Sequence, residues 1–298
     1  MPADRSAAAA VPMPPPRMAA DRIRWLPLAV ILIGVVITAF PLWITFTAST
    51  LDSASIARGD LLLPGPHALG TYEAVLFEGV RGSRAASPPV AGMMWNSLIM
   101  AVTIAVGKIV ISILSAYAVV FFSFPGRMIF FWTIFITLML PVEVRIVPTY
   151  QVVANLGMLN TYAGLTIPLI ASATATLLFR QFFLTIPDEL VEAAKVDGAG
   201  PMRFFWDVVL PLSRTNIAAL FVIMFIYGWN QYLWPLLITT RASMDTIVIG
   251  ISKMIGPGDA LTDWNAVMAV TMLAILPPAL IVLIMQRQFV KGLVDTEK

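Results

Sequence analysis

The residues best suited to chemistry in this sequence are few and far apart. Lys108 is a lone formal charge deep in a long apolar stretch, and Ser112 and Ser115 follow it at i+4 and i+7. A helix would set the three in one polar stripe. An ammonium at that depth costs at least about 2.5–3.5 kcal/mol on insertion scales, so it must face protein or water. Two readings follow: a cavity wall that attracts an anionic phosphate, or a structural lysine bonded to helix carbonyls or to a carboxylate such as Glu143. Glu143 and Arg145 stand between Pro141 and Pro148. Prolines so close imply a broken helix, and irregular backbone at membrane depth lines cavities. Helical residues at i and i+2 do not face each other, so the two charges do not simply pair. Arg145 is a candidate phosphate ligand, an interfacial anchor, or one half of an inter-subunit salt bridge. Tyr227, Trp229, Asn230, Gln231, Tyr232 and Trp234 crowd a third run. Its aromatics suit an interfacial belt. The amides of Asn230 and Gln231 need partners in lipid, and either line a pathway or bond a sister subunit.

Enzymatic chemistry finds little support. With no cysteine there is no thiolate nucleophile, thiolate metal site or disulfide, and the single histidine, His67, rules out a multi-histidine metal site. The phosphate-cradling G-x-x-x-x-G-K-[ST] is absent; Gly107-Lys108-Ile109 lacks the upstream glycine. No Ser/His pair, histidine cluster or carboxylate pair shares one depth in the apolar runs. No catalytic residue, metal ligand or cofactor is therefore assigned to this chain, and ATP, if used, is handled by another. A net charge of +2 is too small for a nucleic-acid footprint.

The elements that hold these residues are legible from composition. The chain has 298 residues, is 59% hydrophobic and 12% charged, and has a mean hydropathy of +0.86. Soluble domains carry about 25% charged residues, so a soluble globule is excluded. Six apolar runs are each long enough for a membrane helix of about 20 residues: approximately Trp25–Phe46, Trp95–Phe122, Met128–Val147, Thr161–Phe183, Asn216–Ile238 and Trp264–Met285. The first exceeds the 7–15-residue core of a signal peptide and is read as a retained helix. The boundary between the third and fourth is soft, because residues 146–179 carry no charge. The expected fold is all-α and integral to the membrane, with one six-helix domain over 25–298 and a Pro/Ala-rich, disordered cytoplasmic tail over 1–24. With the N-terminus inside, twelve Lys/Arg fall inside and six outside, as the positive-inside rule requires. Both termini are then cytoplasmic, and residues 47–94, about 148–160 and 239–263 are outer loops.

The strongest local signal lies in an inner loop, about 185–214. Pro187 and Asp188 start a short helix, with acidic residues in the first turn where the helix dipole favours them. Gly198 can end it in a left-handed conformation. Pro201 suits the first turn of a second helix, and Pro211 ends or kinks it. From physics alone the segment reads equally as an amphipathic loop lying on the membrane, which Phe204, Phe205 and Trp206 suit, or as a docking surface for a partner.

The run Glu192-Ala193-Ala194, then Gly198, then Leu210-Pro211 resembles the EAA loop of ABC-importer permease subunits. Leu140–Pro148, Tyr162-Ala163-Gly164-Leu165, Phe179–Phe183 and Tyr227–Pro235 extend the likeness. Gln286–Leu293 is similar to the carbohydrate-uptake, maltose-permease-like branch, and the C-terminal continuation is most like its members for sn-glycerol-3-phosphate. The resemblance implies a type I importer permease fold in a bacterial inner membrane. It implies as partners a sister permease, an ABC ATPase dimer that binds the ATP, an extracytoplasmic substrate-binding protein and membrane lipid. It places ATPase coupling at Glu189, Glu192, Ala193, Ala194, Asp197, Gly198, Leu210 and Pro211. Lys108, Ser112, Glu143, Arg145, Asn230 and Gln231 are then the pathway candidates. The cargo implied is sn-glycerol-3-phosphate or a related glycerophosphodiester, with a neutral sugar or oligosaccharide as the alternative. An ion-driven secondary transporter would show more spans, inverted repeats and midplane carboxylates, and none of these is seen.

Overall fold

The computed structural model describes residues 25–79, 88–139, 142–255 and 262–294. Among these residues all regular structure is helical. The chain divides into two units, Met1–Leu42 and Trp43–Lys298. Helix α1, Trp25–Ser49, is apolar over its whole length, and its residues 25–42 are exposed on every side. A helix hydrophobic all round belongs in a lipid-like surrounding.

In the second unit α2 (Ser53–Arg58) and α3 (Ala68–Glu73, continued by a π turn Ala74–Glu78) precede α4, Val90–Phe121. Helices α5 (Arg127–Met139), α6 (Val142–Asn155), α7 (Tyr162–Thr166, tightening into a 3-10 turn Ile167–Leu169) and α8 (Ala173–Phe183) follow. The loop helices are α9 (Asp188–Val196) and α10 (Pro201–Phe204), the latter passing through a π turn Phe205–Val209 into α11, Leu210–Leu212. Then come α12 (Arg214–Trp229), α13 (Leu233–Ile238), α14 (Ile247–Met254) and α15 (Trp264–Val294).

Helix α4 is the centre of this unit: it packs on α12 and α8, and α12 packs on α15. Small residues let two of these backbones meet, as membrane helices require in the absence of a hydrophobic drive between them. Ala101 and Ala105 of α4 are fully buried, and Gly228 of α12 lies against Ala101. Two apolar clusters result. One gathers Ala101, Ala105 and Ile109 of α4 with Phe179 and Phe183 of α8 and Phe225 of α12. The other uses the neighbouring stripe of α4, Met100 and Ile104, with Ile146 of α6, Leu165 of α7 and Trp234 of α13. The Trp234 indole donates to the Gly164 carbonyl at 3.1 Å, so its N–H is satisfied inside the apolar cluster.

Among the described residues, three helices, α1, α4 and α15, are long and apolar enough to cross a membrane unbroken, and two bent pairs bring the number to five. The remaining expected span, Met128–Val147, falls on α5 and α6. The expected boundaries need correction in four places. Helix α4 starts at Val90 rather than Trp95. Helix α6 runs through Pro148 to Asn155, so most of the expected outer loop 148–160 is helical; proline kinks a helix without having to end it when neighbours re-satisfy the backbone. The fourth span bends by 49° where α7 and its 3-10 turn give way to α8, and Ser172 caps the new helix by accepting from the Ala175 N–H at 3.3 Å. The fifth breaks after Trp229 and resumes as α13. The expected tail over 1–24 and the glycine-rich 256–259 lie outside the described residues.

Candidate functional site

The inner loop forms two short helices around a glycine, as its sequence implies. Asp188 and Glu189 sit in the first turn of α9 and Lys195 in its last, each sign matching the helix dipole. The helix closes with paired bonds, Ala199 N–H to the Ala194 carbonyl at 2.9 Å and Gly198 N–H to the Lys195 carbonyl at 3.0 Å. This is a Schellman cap, and it requires a left-handed residue at Gly198, whose φ is +70°.

The second loop helix is held from beneath. The Tyr117 hydroxyl, near the end of α4, donates to the Pro201 carbonyl at 2.6 Å. Its ring lies 5.0 Å from that of Phe205, while Phe121 meets Phe204 edge-on at 5.4 Å and Phe183 of α8 at 5.8 Å. Phe204 and Phe205 are therefore buried against α4, which removes them from any membrane-lying face; Trp206 is exposed. A cavity of about 190 Å³ remains between α9 and the end of α4, lined by Phe121, Val191, Ala194 and Phe204 among others. Tyr117→Phe is expected to lower stability by about 1 kcal/mol, the value of one hydrogen bond. Faster amide exchange over 200–205 would be the readout.

Glu189, Glu192, Ala193, Asp197 and Gly198 are all exposed, and Ala194 is half-buried. Leu190 and Val196 are exposed beside the acids, Val196 at 87%. The free side of α9 thus presents carboxylates among apolar groups, suited to a basic, partly apolar groove. Leu210 and Pro211 are half-buried instead. They lie just before a 70° bend at Ser213, whose buried hydroxyl donates to the Val209 carbonyl at 2.6 Å.

The pathway candidates are distributed as follows. Lys108 is 6% exposed, and its ammonium stands 3.6 Å from the centroid of the Tyr227 ring of α12. Arg145 on α6 is half-buried. Ser112, one turn along α4, is fully buried and donates to the Ser172 carbonyl at 3.3 Å, so it holds α4 to α8. Asn230 is exposed and caps α12, and the Gln231 amide donates to the Tyr227 carbonyl at 3.1 Å. The Glu143 side chain lies outside the described residues. Among the described residues no group of His, Asp and Glu is placed to hold a metal.

At the other end of α4 a polar network was not anticipated from sequence. The Asn96 amide donates to the carbonyls of Ser243 and Asp245, at 2.9 and 3.0 Å, and accepts from the Tyr162 hydroxyl at 2.7 Å. The Ile247 N–H donates to the Ser97 hydroxyl at 2.8 Å. Lys253 grips both oxygens of Asp245, at 2.7 and 2.8 Å. Burial pushes the Asp245 carboxyl up from its ordinary value, and Lys253 pulls the other way. Only the charge signs of Asp245 and Lys253, eight residues apart, hinted at this pair.

Lys253→Ala is expected to loosen the 243–255 loop by about 3 kcal/mol at pH 7.5, because it strands a buried carboxylate. A carboxyl raised above its unfolded value carries its charged-state penalty above the folded pKa and loses it as pH falls. The variant's defect should therefore shrink on acidification, and exchange rates over 243–255 at pH 7.5 and 5 test the sign.

The family model for binding-protein-dependent transport system inner membrane components matches residues 97–295, about two thirds of the chain and all of the loop just described. The chain belongs to this family. Within it, proteins named sn-glycerol-3-phosphate transport system permease protein from Brucella melitensis biotype 1 and Agrobacterium fabrum are each 60% identical, over 270 and 269 residues respectively. The protein of that name from Yersinia enterocolitica is 59% identical over 269 residues. Each alignment covers 90% of this chain and 95% of the relative. The fold matches a chain in the crystal structure of a bacterial ABC transporter involved in the import of the acidic polysaccharide alginate. That match has a TM-score of 0.74 and 22% identity, and covers 90% of this chain and 97% of the other. Family membership and the apolar helices make this a multi-pass inner-membrane permease of the type I ABC importer fold.

Proposed function

We propose that this chain forms part of the membrane pathway by which an importer takes up sn-glycerol-3-phosphate or a closely related glycerophosphodiester. The observation that carries the reading is 60% identity along 90% of the chain to permeases named for that cargo. The chain works with a sister permease, an ATPase dimer, an extracytoplasmic binding protein and the surrounding lipid, and contributes no catalytic group of its own. ATP is bound by the ATPase partner. Both termini and the α9–α10 loop face the cytoplasm, so the acidic face of α9 meets the ATPase.

In this arrangement Glu189, Glu192 and Asp197 accept hydrogen bonds from basic groups of the ATPase. Ala193 leaves room for its backbone, and Gly198 sets the angle between the loop helices. Leu210 and Pro211 carry movement of the loop to α12 across the bend at Ser213. The pathway runs past Lys108, Arg145 and Glu143 towards Asn230 and Gln231, with Ser112 behind it. The deciding experiment is uptake by the whole importer in liposomes, with labelled sn-glycerol-3-phosphate and a neutral disaccharide offered in turn. Saturable, ATP-dependent entry of the phosphate alone is expected. Entry of the disaccharide alone would overturn the cargo assignment.

A further inference from the structure

The geometry points to Lys108 as the group of this subunit that recognises the anionic part of the cargo, and to the Tyr227 ring as the partner that holds the ammonium when no anion is present. This rests on the reading of the chain as a permease for a glycerol phosphate.

Position comes first. Lys108 stands near the middle of α4, about 27 Å from Val90 and about 20 Å from Phe121 at 1.5 Å per residue. It continues the Met100–Ile104 stripe that faces Ile146 and Trp234 rather than the Ala101–Ala105 stripe that packs on α12. Its head group lies between α4 and the Tyr227 ring of α12.

The company is unusual. The side chain is 6% exposed, and what its ammonium meets among the described residues is the face of Tyr227. In a poorly polarisable medium an ammonium is strongly attracted to an anion brought beside it. A phosphate offers charge-assisted hydrogen bonds, roughly twice as strong as neutral ones. The ring face attracts a desolvated ammonium through its quadrupole, more weakly than an anion does, so the contact yields to a phosphate. Such an exchange also keeps the site from trapping its cargo, since conduction needs binding weak enough to leave.

Glu143 is the competing partner, and charge removal in pairs separates the two roles. Uptake of labelled sn-glycerol-3-phosphate by the whole importer in liposomes is measured for Lys108→Gln, Lys108→Arg and the double variant Lys108→Gln/Glu143→Gln. Lys108→Gln is expected to lose about tenfold or more, as truncating one side of a desolvated charge contact does. Lys108→Arg retains more uptake than Lys108→Gln, and the double variant does no better than Lys108→Gln. Recovery of uptake in the double variant would make Lys108 the structural counter-ion of Glu143 and overturn the inference. Where Lys108→Gln does not assemble, Lys108→Met replaces it in both single and double form, and wild-type uptake by that variant would equally overturn the inference. A wild-type importer that takes only the neutral disaccharide would defeat the cargo assignment and this inference with it, before any variant is made.

Discussion

Replacing Gly198 by glutamate should leave the chain inserted and assembled, while ATP hydrolysis by the partner no longer drives uptake. The reason is conformational rather than steric. A Cβ at Gly198 would meet nothing within 4 Å, but the residue sits at φ +70°. An L-residue there costs roughly 1–2 kcal/mol. The chain relieves that strain by turning Gly198 out of the left-handed region, which breaks both bonds of the Schellman cap. Helix α9 then leaves α10 at a different angle, although Tyr117 and Phe121 still hold α10 to α4. Uptake per ATP hydrolysed should fall by about tenfold, the size of effect that roughly 1.4 kcal/mol of misplacement produces. Gly198→Asn is the informative partner, because asparagine tolerates the left-handed region; it should keep most of the coupling. Equal coupling in the glutamate and wild-type importers would show that the angle set at Gly198 does not matter.

Gly228→Val should force two packed helices apart. A Cβ there would stand 2.9 Å from the Cα of Ala101 and 3.3 Å from its carbonyl oxygen. Both atoms are backbone, so no rotamer change relieves the clash and α4 and α12 must move apart. Overpacking of this kind costs about 1–3 kcal/mol. Valine adds two further methyl groups in the same seam, so the upper end is expected, with a clear fall in the melting temperature of the purified complex. Ala101→Gly should not rescue it, because the Cα and the carbonyl oxygen remain. A rescue would mean that the clash lies with the side chain of Ala101.

Much of this architecture was readable in the sequence, because apolar runs of the right length have few other fates in a membrane protein. Gly198 and Pro201 were equally plain, since each residue type fits a narrow backbone role. The breaks were not. Hydropathy stays high across Ser172, so nothing in the sequence marks that bend; Pro148 and the polar pair Asn230-Gln231 are visible, but not that the helix continues through the first and breaks at the second. Ser112 was grouped with Lys108 by spacing alone, yet its hydroxyl turns to a carbonyl of α8, a partner sixty residues away. Tyr227 was visible only as one aromatic among several. Its place over Lys108 depends on the register of α12 against α4, which the Gly228 contact sets and no local pattern encodes. The Asn96 and Ser97 network is hidden for the same reason: Tyr162 lies 66 residues further along, and Ser243, Asp245 and Ile247 lie 147 to 150.

The seam at Gly228 also gives α4 the mechanics of a crowbar. The contact lies at Ala101, while the aromatic grip on the loop lies at Tyr117, about 24 Å away at 1.5 Å per residue. The grip on the far loop, at Ser97, lies only about 6 Å to the other side of Ala101. A rod turning about that fulcrum shortens travel by roughly fourfold from the loop end to the far end, as the ratio of the two helix lengths requires. It multiplies force in the same proportion. Any swing at the loop end would then reach the far end as a shorter, stronger pull, with Lys108 carried on the long arm between them.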